Sequence, residues 1–86
     1  MEARTITLKA GEPWRYLGST PEKDAVEVVV RSFDRDVLFA TGSGPSTPDG
    51  TPLTVRAGEG GRLLGLHFFV RPESTTTQSR ILVRGL

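Results

Sequence analysis

Catalysis needs nucleophiles, bases or metal ligands that converge, and this chain offers few of them. It has one histidine, His67, and no cysteine. The missing thiols exclude a disulfide framework, a thiolate zinc site and a cysteine nucleophile together. A metal centre on a β scaffold would gather two or three histidines with a carboxylate, so a lone histidine between Leu66 and Phe68 reads as structural or solvent-facing. Ser19, Ser32, Ser43, Ser46, Ser74 and Ser79 fall mostly in loop-like stretches, and none sits in a G-x-S-x-G elbow. Asp34 and Asp36 are the nearest carboxylate pair, but they flank Arg35 in a turn where adjacent residues point apart, and they read as turn formers. Ser43-Gly44-Pro45 and Gly58-Glu59-Gly60-Gly61 open no helix and carry no phosphate-binding lysine. Asp49-Gly50 brings a single carboxylate where calcium gathers several, and reads as a plain turn. Trp14 and Tyr16, at i and i+2, share one strand face and could stack on a sugar or a base; core or subunit-contact aromatics are the plainer reading. The expectation is a protein that is not an enzyme, with no catalytic residue, no metal and no cofactor.

The elements that carry these residues are strands. Apolar residues alternate along most of the chain, and no window offers the i, i+3, i+4, i+7 spacing of a helix. Ile6, Leu8 and Ala10 alternate with Thr5, Thr7 and Lys9; Trp14 to Leu17 follows a Gly11-Glu12-Pro13 turn and stops at Gly18-Ser19-Thr20-Pro21. Ala25 to Phe33 is a β-branched run, and Asp34-Arg35-Asp36 is expected to close a tight hairpin into Val37 to Thr41. Thr41 to Pro52 holds three prolines, three glycines and no apolar side chain, which predicts a long polar loop. Leu53 to Ala57 leads through the 58–61 turn into Arg62 to Arg71, the longest expected strand, with Leu64, Leu66, Phe68 and Val70 on one face. Pro72 to Ser79 is a second polar loop, and Arg80 to Arg84 is the last strand.

Thr7 to Leu17 (TLKAGEPWRYL) echoes Thr54 to Leu64 (TVRAGEGGRLL) at Thr, Ala, Gly, Glu, Arg and Leu. Both stretches read as strand, Ala-Gly-Glu corner and strand, with glycine supplying a positive φ. The echo suggests two halves, about 4–42 and 51–85, joined by the polar loop 42–52. Eighty-six residues form one domain, 1–86, with a thin core that buries roughly 60 to 65% of the unfolded surface. Seven or eight short antiparallel strands with long crossovers predict an all-β sandwich, or a jelly-roll or Greek-key barrel.

Several strands are apolar on both faces. With Val26, Val28, Leu64, Leu66, Phe68, Ile81 and Val83 turned to the core, Val29, Phe33, Leu38, Leu63, Phe69 and Leu82 lie on the other side. A small monomer should present a polar second face, so these residues mark a contact surface. Adding nearby aromatics and arginines gives the candidate interface: Trp14, Tyr16, Val29, Arg31, Phe33, Leu38, Leu63, Phe69, Leu82 and Arg84. Arg56, Arg62 and Arg80 are further arginines expected to make contacts.

Eleven Lys and Arg against ten Asp and Glu give a formal charge of +1, which supplies no long-range pull on nucleic acid or an anionic membrane. Neither is an expected partner. The opening MEARTITL has no basic n-region followed by an apolar stretch, so export by a signal peptide is not expected, and no apolar run is long enough to span a bilayer.

The AGE-cornered opening strands, the valine-rich middle strand, the polar loop, the stretch PLTVRAGEGGRL and the closing SRILVRG resemble small β-sandwich virion proteins of tailed bacteriophages, including head decoration or cement proteins. The likeness covers nearly the whole chain through turn-level motifs. It implies a structural role in the virion after synthesis in the host cytoplasm, with the major capsid protein or other virion subunits as partners. It also implies self-association, as trimers where the capsid sites are threefold. A carbohydrate- or ligand-binding module using Trp14 and Tyr16 is the alternative, as is a tail or head-completion protein.

Overall fold

The computed structural model of the protein describes residues 3–19 and 25–86. It contains eight strands and no helix among those residues: β1 (Arg4–Leu8), β2 (Arg15–Ser19), β3 (Val26–Ser32), β4 (Val37–Gly42), β5 (Leu53–Val55), β6 (Gly60–Gly65), β7 (His67–Pro72) and β8 (Ser79–Arg84). Met1, Glu2, Thr20 and Pro21, which figured in the reading of the start and of the stop after the second segment, lie outside the described residues. The strands form two four-stranded antiparallel sheets, ordered β1-β8-β3-β6 and β2-β7-β4-β5. This is an all-β sandwich, and its strand order is that of a jelly roll, in which successive strands cross between sheets.

Among the described residues only β4 and β5 are neighbours both in sequence and in a sheet. The tight hairpin expected at Asp34-Arg35-Asp36 is therefore corrected: β3 pairs with β6 and β8, whereas β4 pairs with β5 and β7. The Asp34 to Asp36 segment is a corner that carries the chain from one sheet to the other. Turn-forming residues are common to hairpins and corners, and local sequence does not separate the two. The polar 43–52 segment, by contrast, closes the β4–β5 hairpin.

A second correction concerns the longest expected strand. Arg62 to Arg71 is two strands in different sheets, β6 and β7, joined at Leu66. Gly65 permits the corner: a Cβ there would stand 2.7 Å from Cγ2 of Thr41, so only glycine lets the chain pass this closely. The corner shifts the alternation by one residue. Leu63 packs inward on Val28, its register partner, while Leu64 points outward and is 69% exposed. Leu66, at the corner, is 37% exposed. Leu64 and Leu66 thus leave the expected core, and Leu63 joins it.

The core lies between the sheets. Leu8, Ile81, Val83, Val28 and Val30 from the first sheet meet Leu17, Phe68, Val70, Val37, Phe39 and Val55 from the second, with Phe39 and Phe68 stacked at 6.0 Å. β-Branched residues dominate because they fill a pleated surface with little loss of rotamer freedom. The first and last strands pair along their length, from Arg4↔Val83 to Leu8↔Ser79, which ties both described ends of the chain into one sheet.

The sequence echo has a structural counterpart. Gly11 and Gly58 both take positive φ, +66° and +79°, and the glutamate after each donates its N–H to the carbonyl three residues back, Glu12 to Lys9 and Glu59 to Arg56. Gly11 N–H then donates to Ser74 O beyond β7, and Gly58 N–H to Ser32 O at the end of β3. Matching β1–β4 to β5–β8 converts the order β1-β8-β3-β6 into β5-β4-β7-β2, the second sheet read backwards. The likeness ends at the glutamate. A bulge between Tyr16 and Gly18 turns Leu17 inward, while the matching Leu64 points out.

Candidate functional site

Two sheets give two outer faces, and the residues proposed as one interface divide between them. On the first sheet, the outward positions are Thr5 and Thr7 of β1, Arg80, Leu82 and Arg84 of β8, Glu27, Val29 and Arg31 of β3 with Phe33 just beyond it, and Arg62 and Leu64 of β6. On the second sheet they are Trp14 and Tyr16, His67, Phe69 and Arg71 of β7, and Leu38, Ala40 and Gly42 of β4. Val29, Arg31, Phe33, Leu82 and Arg84 therefore share one surface, and Trp14, Tyr16, Leu38 and Phe69 share the opposite one. Leu63 belongs to neither, because the Gly65 corner turns it into the core.

Phe69 needs its own correction. It lies on the outer face yet is only 1% exposed. Tyr16 covers one side with its ring centroid at 5.3 Å, and a Cβ on Gly42 would come within 2.9 Å of the Phe69 ring and of Thr47 O. The 43–52 segment thus folds back against this face. Two hydrogen bonds to Thr41 O, from the N–H groups of Asp49 and Gly50, fix that fold-back, and the Asp49 carboxylate accepts from Ser43 Oγ at 2.6 Å and Ser43 N at 3.3 Å. Those bonds favour the charged form and lower the Asp49 pKa from its ordinary 3.8. Phe69 serves as a small second core, outside the main one and closed to partners.

What stays accessible on this face is a strip of mixed chemistry. Tyr16 is 40% exposed, and its hydroxyl and His67 Nδ1 are hydrogen-bonded at 2.9 Å. The Arg71 guanidinium lies 5.2 Å from the centroid of the half-buried Trp14 ring. Tyr16, His67 and Arg71 are each held by a neighbour; Ser19 stands opposite His67 across β2 and β7 with no hydrogen bond between the two, and among the described residues no carboxylate pairs with His67. Among the described residues no group of three His, Asp or Glu side chains is placed to hold a metal ion.

A hollow of about 470 Å³, open to solvent, lies at one end of the sandwich between Asp34, Arg35, Asp36, Ala57, Glu73, Ser74, Thr76 and Thr77. Its aspartates are occupied structurally. Asp34 accepts from the Arg80 N–H at 3.2 Å and Asp36 from the Ala57 N–H at 2.8 Å, so the two carboxylates pin the β3–β4 corner to β8 and to the β5–β6 turn. Glu12 works similarly at the β1–β2 corner, where it accepts from Lys9 N and grips Arg15 through two 3.1 Å contacts. Ser32 Oγ donates to Arg35 O, and the buried Ser79 Oγ finds no partner among the described residues. Asp34 and Asp36 thus line the hollow with one carboxylate oxygen each committed to a backbone N–H.

The first sheet's outer face differs in kind. Its arginines alternate with apolar side chains along β3, β6 and β8 and across them: Val29 stands opposite Arg84 on one side and Arg62 on the other, and Arg31 opposite Leu82. Arg80 lies over the Phe33 ring at 5.6 Å. The sequence named most of these residues but grouped them on one face with Leu38, Leu63 and Phe69, because separating them depends on which strands share a sheet. Leu64 alone was missed, and Gly65 within its apolar run was the signal of a bend.

A comparison with known protein families, with curated proteins and with solved structures finds no match to this chain.

Proposed function

We propose that the protein is a non-enzymatic structural component of a tailed-bacteriophage virion, a decoration protein that reinforces the head by contacts between protein subunits. The observation that carries this reading is the pair of outer sheet faces that both hold apolar residues and arginines, Val29, Phe33, Leu64 and Leu82 with Arg31 and Arg84 on one, Trp14 and Tyr16 with Arg71 on the other. A domain this small, without disulfides, gains stability by association. A jelly roll suits the role, since its two sheets present broad surfaces and the fold recurs in capsid proteins. Size-exclusion chromatography with light scattering tests the self-association part. The reading predicts a defined oligomer, and a strict monomer at high concentration contradicts it.

The second reading is a carbohydrate-binding module, favoured by the exposed Tyr16 ring beside His67, with Trp14 on the same outer face. Retention of a glycan on an array, lost in Trp14→Ala, would support it. No retention by the intact chain removes it.

A further inference from the structure

We infer that the outer face of the first sheet docks an extended, acidic protein segment whose carboxylates alternate with aliphatic side chains. This deepens the structural reading above by naming the face and the chemistry of the partner. The chain as a whole carries +1, yet among the described residues this face gathers Arg31, Arg62, Arg80 and Arg84 against one carboxylate, Glu27, which lies 3.9 Å from Arg62. Among the described residues Arg31, Arg80 and Arg84 have no carboxylate within ion-pairing distance. A surface with such an excess lowers its self-repulsion when an anionic partner covers it.

The pattern of the face says what kind of anion. Alternating residues on one side of a strand are about 6.6 to 6.8 Å apart, and neighbouring strands about 4.8 Å. Arg31 and Arg84 stand diagonally across β3 and β8, with Leu82 and Val29 completing the square, and a recess of about 170 Å³ opens between these four. A water molecule takes up about 30 Å³ of liquid, so the recess has room for several heavy atoms. An extended chain with Glu at one outward position and Leu at the next matches the spacing along β8, where Arg80, Leu82 and Arg84 alternate on one face. Its carboxylates meet guanidinium forks, and a leucine enters the recess.

Nucleic acid fits less well. Its phosphates would engage the arginines but bring polar sugar against Val29 and Leu82. Base stacking would have only Phe33, whose ring Arg80 already covers.

The test uses the intact chain labelled with ¹⁵N and a synthetic peptide in which Thr-Glu-Thr-Leu is repeated three times. Controls are the same peptide with Lys for Glu, a single-stranded oligothymidylate, and vesicles of phosphatidylglycerol. The acidic peptide should shift amide resonances in 27–33 and 80–84, and binding should weaken by about tenfold in Arg31→Glu/Arg84→Glu, a loss of about 1.4 kcal/mol. Both sites are exposed, and a dispersed amide spectrum verifies that the variant folds. Absence of binding, equal binding by the Lys peptide or by the variant, shifts mapping to the second sheet, or tighter binding of the oligonucleotide or vesicles would each overturn the inference. The isolated chain is read here, so failure is distinguishable from absence of the protein in virions, which is measured separately.

Discussion

The one-residue shift at the β6–β7 corner makes opposite demands on two adjacent leucines, and Leu63→Ala and Leu64→Ala measure it. Leu64 is 69% exposed, so less than a third of the roughly 1.5–3 kcal/mol for burying a leucine applies to it. Alanine retains part of that, and the expected loss is about 0.5 kcal/mol. Leu63 packs against the core beside Val28, where truncation removes buried methyl groups and leaves a partial cavity. Its position at the edge of the core puts the cost near the lower end of the usual range, about 2 kcal/mol. For a domain of this size each kcal/mol moves Tm by roughly 4–8 °C, giving about 8–16 °C for Leu63→Ala and under about 5 °C for Leu64→Ala. Urea unfolding followed by the fluorescence of the single tryptophan, Trp14, gives the free energies, and thermal circular dichroism gives Tm. Equal losses, or a larger loss for Leu64→Ala, would refute the corner and restore a continuous strand with Leu64 facing inward.

Three further outcomes follow from backbone and charge. Gly85 has φ +112°, and a Cβ there would stand 2.7 Å from Glu27 O, so Gly85→Ala should cost about 3 kcal/mol in urea unfolding. Gly58 has φ +79° with open space around it, so Gly58→Ala should cost only the left-handed penalty of about 1–2 kcal/mol; a larger loss at Gly58 than at Gly85 would contradict this ranking. Asp49 should titrate below 3.8 in carboxyl-detected NMR, and Ser43→Ala should move it upward, because the Ser43 hydroxyl is the main cause of the lowered value. With the folded value depressed, the contribution of Asp49 to holding the 43–50 segment is complete above 3.8 and is lost as pH falls through the folded value.

The strands and the sandwich were legible in the sequence because alternation reports local exposure, and β-branched runs such as Val26–Val30 report strand directly. Pairing was not legible. Asp34-Arg35-Asp36 looks the same whether the chain folds back beside itself or crosses to a second sheet, and the partners of β3 lie far along the chain in β6 and β8. The same gap scattered the candidate contact residues. Val29 and Leu82 meet across β3 and β8, while Trp14 and Tyr16 lie on the other side of the sandwich. Phe69 was misjudged for a different reason. Alternation placed it outside correctly, but a polar loop with no apolar side chain of its own supplied backbone and proline to cover it.

The claim that this is a subunit of a virion is tested most directly by quantitative mass spectrometry of purified particles from a phage that encodes the chain. The account predicts the protein in the particles at a fixed ratio to the major capsid protein, retained through density-gradient purification. Its absence from intact particles, in cells where the chain is abundantly made, would contradict the account.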